Sequence, residues 1–198
     1  MNKTRNKKAR GLSRRQFLQG SLGAYGAMLV PALVPSSAFG ANAPSNRIVV
    51  GFVGVGRMGL GDLREVLGFK QAQVVAVCDV DSKRVEYAKE LVENHYAKGA
   101  AADSYGGCAG HGDYRDLVAR DDIDVVIVCT PDHWHTLPAV AAVKAGKDIF
   151  VQKPLTLTIR EGRVLSDAVR RYGRVFQIGS QQRSEAQFRQ ACELVRNG

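Results

Sequence analysis

Arg47-Ile48-Val49-Val50-Gly51-Phe52-Val53-Gly54-Val55-Gly56-Arg57-Met58-Gly59 decides the fold: a short apolar, β-branched run that closes on G-x-G-x-x-G. A run of this kind fits a buried strand, and the glycines that follow place a strand-to-helix handover directly after it. Gly54 permits the tight turn out of the strand. Gly56 has no Cβ and lets a pyrophosphate approach the backbone, and Gly59 lets the new helix pack closely on the sheet. The first N–H groups of that helix then face the phosphates, with the positive end of its dipole behind them. Alone, a Gly-rich turn is a weak signal; its surroundings make it specific. A second apolar run, Val74 to Cys78, ends at Asp79, 20 residues beyond Gly59. A carboxylate there accepts hydrogen bonds from a ribose 2′-hydroxyl and repels a 2′-phosphate. The expected cofactor is therefore NAD, with NADP less favoured; Arg57 and Arg84 are the cations that pull the other way.

Working outward, the pattern continues as strand, helix, strand, helix. That alternation predicts an α/β domain over residues 44–198, a doubly wound parallel sheet with helices on both faces. Strands are expected near 47–53, 73–79, 124–130, 148–152 and 174–179, and helices near 57–68, 82–96, 134–145, 160–172 and 185–196, with a short one at 113–117. Asp81 is placed to cap the second helix, while Thr158 with Glu161 and Ser184 with Gln187 fit capping boxes. Residues 97–112, rich in Gly and Ala, read as an exposed, mobile insertion. There is no internal repeat.

Upstream, residues 1–43 carry seven Lys or Arg and no acidic residue, which is a targeting composition. Ser13-Arg14-Arg15-Gln16-Phe17-Leu18 follows the twin-arginine pattern, and a mildly apolar stretch, Leu22 to Val34, leads to small residues that suit cleavage near residues 38–43. The stretch is short and diluted by Gly and Ala, so a stable membrane anchor is not expected. The expected route is export of a folded protein by the twin-arginine machinery to the periplasm or beyond, and a cofactor carried there is expected to be held tightly. The whole chain has a net charge of +9, but removing those seven from the 28 basic residues leaves 21 against 19 acidic ones, or +2. With no basic patch interleaved with aromatics, a nucleic-acid partner is not expected.

In an open α/β sheet a ligand lies outside the carboxyl ends of the strands. Just past three of the apolar runs stand Thr130-Pro131-Asp132-His133-Trp134-His135, Gln152-Lys153-Pro154 and Gly179-Ser180-Gln181-Gln182-Arg183. An ammonium such as that of Lys153, beside a reacting carbon, stabilises a developing alkoxide and relays a proton. Gln182 and Arg183 are candidates for contact with an anionic or polyhydroxy substrate. His133 and His135, two apart, do not share a helix face, and the four cysteines, Cys78, Cys108, Cys129 and Cys192, show no C-x-x-C and no metal spacing. No metal site is expected, and Cys78 and Cys129 read as small buried hydrophobes.

These segments resemble the N-terminal half of Gfo/Idh/MocA oxidoreductases, the family of glucose-fructose oxidoreductase and the myo-inositol dehydrogenases. The second family motif, T-P-x-x-x-H, is matched by Thr130, Pro131 and His135, and the third, E-K-P, by Lys153 and Pro154, with Gln152 where the family usually has Glu. The resemblance implies a Rossmann-type dinucleotide domain in which Gly54 to Gly59, with Val55, Arg57 and Met58, hold the pyrophosphate. Asp79 would hold the adenosine ribose, and the Thr130–His135 turn, including Trp134, would line the dinucleotide. Gln152 and Lys153 would meet the nicotinamide ribose, with Lys153 as the catalytic residue. It further implies hydride transfer to or from a sugar, cyclitol or related polyhydroxy substrate, and a C-terminal α+β substrate domain with a D-x-x-x-H pair that this chain does not contain. The complete protein is then expected to associate with itself. Two alternatives follow: an NAD-retaining glycoside hydrolase or lyase that oxidises its substrate transiently, and a non-catalytic nucleotide-binding remnant.

Overall fold

The computed structural model describes residues 46–97, 105–183 and 185–198. The expected signal segment, the middle of the 97–112 insertion and Ser184 lie outside the described residues.

The chain runs β1 (Ile48–Val53), α1 (Arg57–Leu67), β2 (Ala72–Cys78), α2 (Ser82–Ala97), β3 (Ala109–His111), α3 (Tyr114–Val118), β4 (Val125–Val128), a 3-10 turn (Asp132–Trp134), α4 (Thr136–Lys144), β5 (Asp148–Val151), α5 (Ile159–Tyr172), β6 (Phe176–Ile178) and α6 (Ala186–Asn197). The six strands form one sheet in the order β3-β2-β1-β4-β5-β6, and every pairing is parallel. The chain builds outward from β1 to β3, then crosses back to lay β4 on the other side of β1, so the order reverses between β1 and β4. That reversal is the topological switch point of a Rossmann fold.

Period-two alternation of the strands sends their side chains into two cores. Val53, Val126 and Val128 pack under α3, α4 and α5 with Leu117, Ala139, Val143 and Leu165. Val50, Phe52, Ile127 and Cys129 pack with Leu63, Leu67, Ala88 and Val92 of α1 and α2. Strands buried on both faces in this way read as continuous apolar runs, which is why β1 and β4 were legible.

Three expectations need correction. The 97–112 insertion is not all loop: Ala109–His111 forms the edge strand β3, with Ala76 opposite Ala109 and Cys78 opposite His111. Three residues of Ala, Gly and His carry no strand periodicity, and only the parallel partner defines them. The fourth helix begins at Thr136 because Asp132–Trp134 turns more tightly first. The last helix begins at Ala186 with Glu185 at its N-cap and no side-chain cap bond; Gln187 Nε2 bonds instead to the Glu185 carboxylate. The other caps form as expected. Asp81 Oδ1 accepts from the Lys83 N–H at 2.9 Å, and Thr158 and Glu161 make a full capping box ahead of α5.

The edge of β2 shows how a short partner strand is compensated. Pairing with β3 covers only Ala76 to Cys78, so the backbone of Val74 would face the edge unpaired. Two tyrosines fill in: the Val74 N–H donates to Tyr96 Oη at 3.0 Å and Tyr105 Oη donates to the Val74 carbonyl at 2.9 Å. Their rings stack with centroids 4.4 Å apart. Buried backbone groups must be paired, and side chains do it where the ladder stops.

Candidate active site

After β1, β2, β4, β5 and β6 the next residue is pinned by one more ladder hydrogen bond. Gly54 N–H donates to the Cys78 carbonyl, Asp79 N–H to His111, Cys129 N–H to Val53, Gln152 N–H to Val128 and Gly179 N–H to Val151, at 2.8 to 3.2 Å. The sheet thereby holds the candidate residues of β1, β2, β4 and β5 on one rim. Over the switch point they surround a cavity of about 720 Å³.

The three glycines have distinct physical duties. Gly54 has φ +88°, and a Cβ there would lie 2.6 Å from the backbone of Cys129 and Thr130. A Cβ on Gly59 would lie 2.0 Å from the Gly54 carbonyl oxygen. Both are demanded by the protein's own packing. Gly56 is different: its Cβ would meet only the end of the Arg84 side chain, at 3.4 Å, so its bareness leaves open space on the cavity wall. Helix α1 starts there with no side-chain cap and no acidic residue in its first turn, leaving its leading N–H groups to an anion. Arg57 and Met58 line the same wall. Val55 does not; its side chain is fully buried, and its contribution is the N–H that Asp79 Oδ2 accepts at 3.0 Å.

Asp79 is the next wall. Its Oδ1 accepts from the Asp81 N–H at 3.1 Å, and the Arg84 guanidinium stands 4.0 Å away. Each carboxylate oxygen has a second lone pair, so the group still accepts from a ribose hydroxyl while holding the glycine turn in place. Beside it, burial and the Asp79 charge push the Cys78 thiol up to about 12, which makes it an inert wall and not a nucleophile.

Across the cavity, Thr130, Pro131, Trp134 and His135 form the wall after β4. Trp134 is 44% exposed and His135 only 1%. His135 Nδ1 lies 2.6 Å from the Pro154 carbonyl; because that oxygen only accepts, Nδ1 carries the hydrogen, which in the neutral ring leaves Nε2 an acceptor. Among the described residues, His135 Nε2 and Thr130 Oγ1 are buried without a hydrogen-bond partner. Two orphaned polar atoms on residues that line the cavity are what a polar, hydroxyl-rich ligand such as a dinucleotide would satisfy.

The fourth wall is Gln152-Lys153. Lys153 is exposed to the cavity, and its peptide bond to Pro154 is cis. Gln152 is buried. Its Nε2 donates to Asp62 Oδ2 at 2.8 Å and its Oε1 accepts from the Lys153 N–H at 3.1 Å. Asp62 also accepts from Cys129 Sγ at 3.2 Å, and burial with the nearby Asp62 carboxylate pushes that thiol up.

Sequence reading missed Asp62, and it took Cys129 only as a core residue although it also lines the cavity. A carboxylate three residues past Gly59 on a helix that must face the sheet was the available signal. It also missed the wall formed by Gly112 to Arg115, because β3 was not anticipated. Gln182 and Arg183 are exposed and stand outside the cavity lining, while Gln181 Nε2 lies 3.5 Å from Met58 Sδ. Of the two histidines, His133 is exposed and His135 is buried with Nδ1 on the Pro154 carbonyl.

Comparison with known proteins agrees with this geometry. Glycosyl hydrolase family 109 protein 1 of Shewanella sp. (strain MR-4) is 34% identical over 139 residues, which is 70% of this chain and 29% of that protein. The chain thus spans about a third of the curated relatives it matches. Among solved structures, scyllo-inositol dehydrogenase from Lactobacillus casei, with bound NAD(H) and scyllo-inositol, superimposes with a TM-score of 0.63 at 26% identity, over 77% of this chain and 42% of that one. The WlbA dehydrogenase from Bordetella pertussis, solved with NADH and UDP-GlcNAcA, shares the fold with a TM-score of 0.64 at 19% identity, over 77% and 42% of the two chains. The oxidoreductase family with an NAD-binding Rossmann fold matches residues 48–180, from the first residue of β1 to just past β6. With the glycine turn, Asp79 and the Thr130 and Lys153 segments gathered on that stretch, the chain belongs to the Gfo/Idh/MocA oxidoreductase family and carries its NAD-binding domain.

Proposed function

We propose that the complete protein is an exported NAD-dependent oxidoreductase acting on a sugar, cyclitol or related polyhydroxy compound. The observation that carries this reading is the convergence of four separately placed segments on one cavity at the switch point: the glycine turn, Asp79, the Thr130–His135 turn and Lys153. Arg57 and the α1 N-terminus would hold the pyrophosphate, Asp79 the adenosine ribose, and Thr130, His135 and Gln152 the far half. NAD supplies the hydride chemistry when bound. Lys153 Nζ, with no ion-pair partner among the described residues, would face the substrate hydroxyl, stabilise the negative charge that develops on its oxygen and hold the proton exchanged there. Pro154, held by His135, keeps that lysine at the rim. The substrate class is supported by the family and by the cyclitol bound to the L. casei dehydrogenase. Export is supported by the twin-arginine pattern at Ser13–Leu18 and the acid-free first 43 residues.

A second reading is favoured by one observation, the family 109 glycosyl hydrolases among the relatives. There the same cavity would oxidise a sugar hydroxyl, acidify the neighbouring C–H so that the glycosidic bond is cleaved, and return the hydride, with no net redox change. One experiment separates the two: the mature protein from the periplasm, with its native chain length established by mass spectrometry, is given sugars and p-nitrophenyl glycosides while NADH absorbance and glycoside release are both followed. Net NADH formation supports the dehydrogenase, and release without NADH the cleavage reaction. NADH formation that survives Lys153→Ala undiminished would overturn the role given to Lys153. A mature protein found only in the cytoplasm would overturn export.

A further inference from the structure

We infer that Asp62 is a positioning residue that decides which way round the Gln152 amide sits, and through it presents Lys153 to the nicotinamide end of the cavity. A primary amide can be turned over with hardly any change of shape, so packing alone does not choose its orientation. A carboxylate does, because it only accepts. Asp62 Oδ2 lies 2.8 Å from Gln152 Nε2, which leaves Oε1 to accept the Lys153 N–H at 3.1 Å. Cys129 Sγ, 3.2 Å from the same Asp62 oxygen, braces the carboxylate from β4.

On the far side, Gly179 supplies the room: a Cβ there would lie 3.0 Å from Gln152 Oε1 and 3.2 Å from its Cδ. Asp62 of α1, braced by Cys129, and Gly179 just past β6 therefore enclose one buried amide whose other bond is to the backbone of the lysine. A glutamate at this position would set a second carboxylate against Asp62. The glutamine and the aspartate are thus matched to each other, which gives a physical reason for the amide that stands where the family usually has an acid.

The inference rests on the proposed placing of Lys153 at the nicotinamide end, so the test separates the two ligand halves. The full chain is titrated calorimetrically with NADH and with ADP, which contains the adenosine and pyrophosphate but no nicotinamide ribose. Asp62→Ala is expected to weaken NADH about tenfold and to leave ADP within about twofold. Gln152→Glu is expected to lose about tenfold for NADH, and Asp62→Asn combined with Gln152→Glu to recover it, since the introduced asparagine can donate to the introduced glutamate. Unchanged NADH binding in Asp62→Ala, equal loss of NADH and ADP, or a double variant as weak as Gln152→Glu would each overturn the positioning role. If Asp62→Ala does not fold, the Gln152→Glu pair decides alone. Wild-type protein that binds NADH no more tightly than ADP would instead overturn the nicotinamide-end reading, and the inference with it.

Discussion

Replacing Gly59 and Gly56 separately by alanine should divide the glycine motif into a part that serves the fold and a part that serves the ligand. At Gly59 the new Cβ would lie 2.0 Å from the Gly54 carbonyl oxygen. Carbon and oxygen touch at roughly 3.3 Å, so α1 would have to back away from the turn by about 1.3 Å. The near atom is backbone and cannot rotate aside, which puts the overpacking cost at about 3 kcal/mol. Alanine recovers at most about 1 kcal/mol of that through its helix propensity. The net loss of about 2 kcal/mol corresponds to a melting temperature lower by about 4–8 °C for a domain of this size. At Gly56 the backbone is extended, with φ −72° and ψ −161°, and only the mobile tip of Arg84 lies near, so stability should change by about 0.5 kcal/mol or less. Its methyl group would occupy the cavity wall, and loss of one charge-assisted contact to phosphate weakens NADH by about tenfold or more. Thermal denaturation and NADH titration of both variants give the answer. A Gly59→Ala protein as stable as wild type, or a Gly56→Ala protein that binds NADH unchanged, would refute the division.

Asp79→Ala frees the Val55 and Asp81 N–H groups and releases Arg84; NADH should weaken and NADPH gain relative to it, the ratio of affinities falling by about tenfold in paired titrations. Tyr105→Phe removes the bond to the Val74 carbonyl and should cost about 1 kcal/mol in urea denaturation with NADH binding intact. Alkaline pH should destabilise the domain. Cys78 and Cys108 are raised to about 12 from 9.0, so the unfolded chain loses these protons first. The stability they contribute is complete below pH 9 and lost as pH rises towards 12, which melting temperatures across that interval will show.

Much of the fold was legible because burial on both faces leaves apolar runs unbroken. Val50 to Val53, Val74 to Cys78 and Val125 to Val128 announce themselves, and the glycine turn and Thr158–Glu161 mark helix starts by local chemistry. Ala109–His111 did not, since an edge strand of three small or polar residues exists only because Ala76 to Cys78 lie beside it. The site shows the same division. Asp79, Thr130, His135 and Lys153 follow recognisable runs or motifs, whereas Asp62, mid-helix with no motif around it, joins the cavity wall's hydrogen bonds only through Gln152 and Cys129.

The chain's own order of residues determined the parallel α/β architecture, the NAD-type turn and the rim on which chemistry would sit, because each depends on short-range pattern and steric demand. Tertiary structure alone decided that Asp62 faces Gln152 across 90 positions of sequence, that two tyrosines close the edge at Val74, and that His135 holds Pro154. Those are pairings between side chains brought together by the sheet, and hydrogen bonds between distant residues leave no periodicity in a sequence to read.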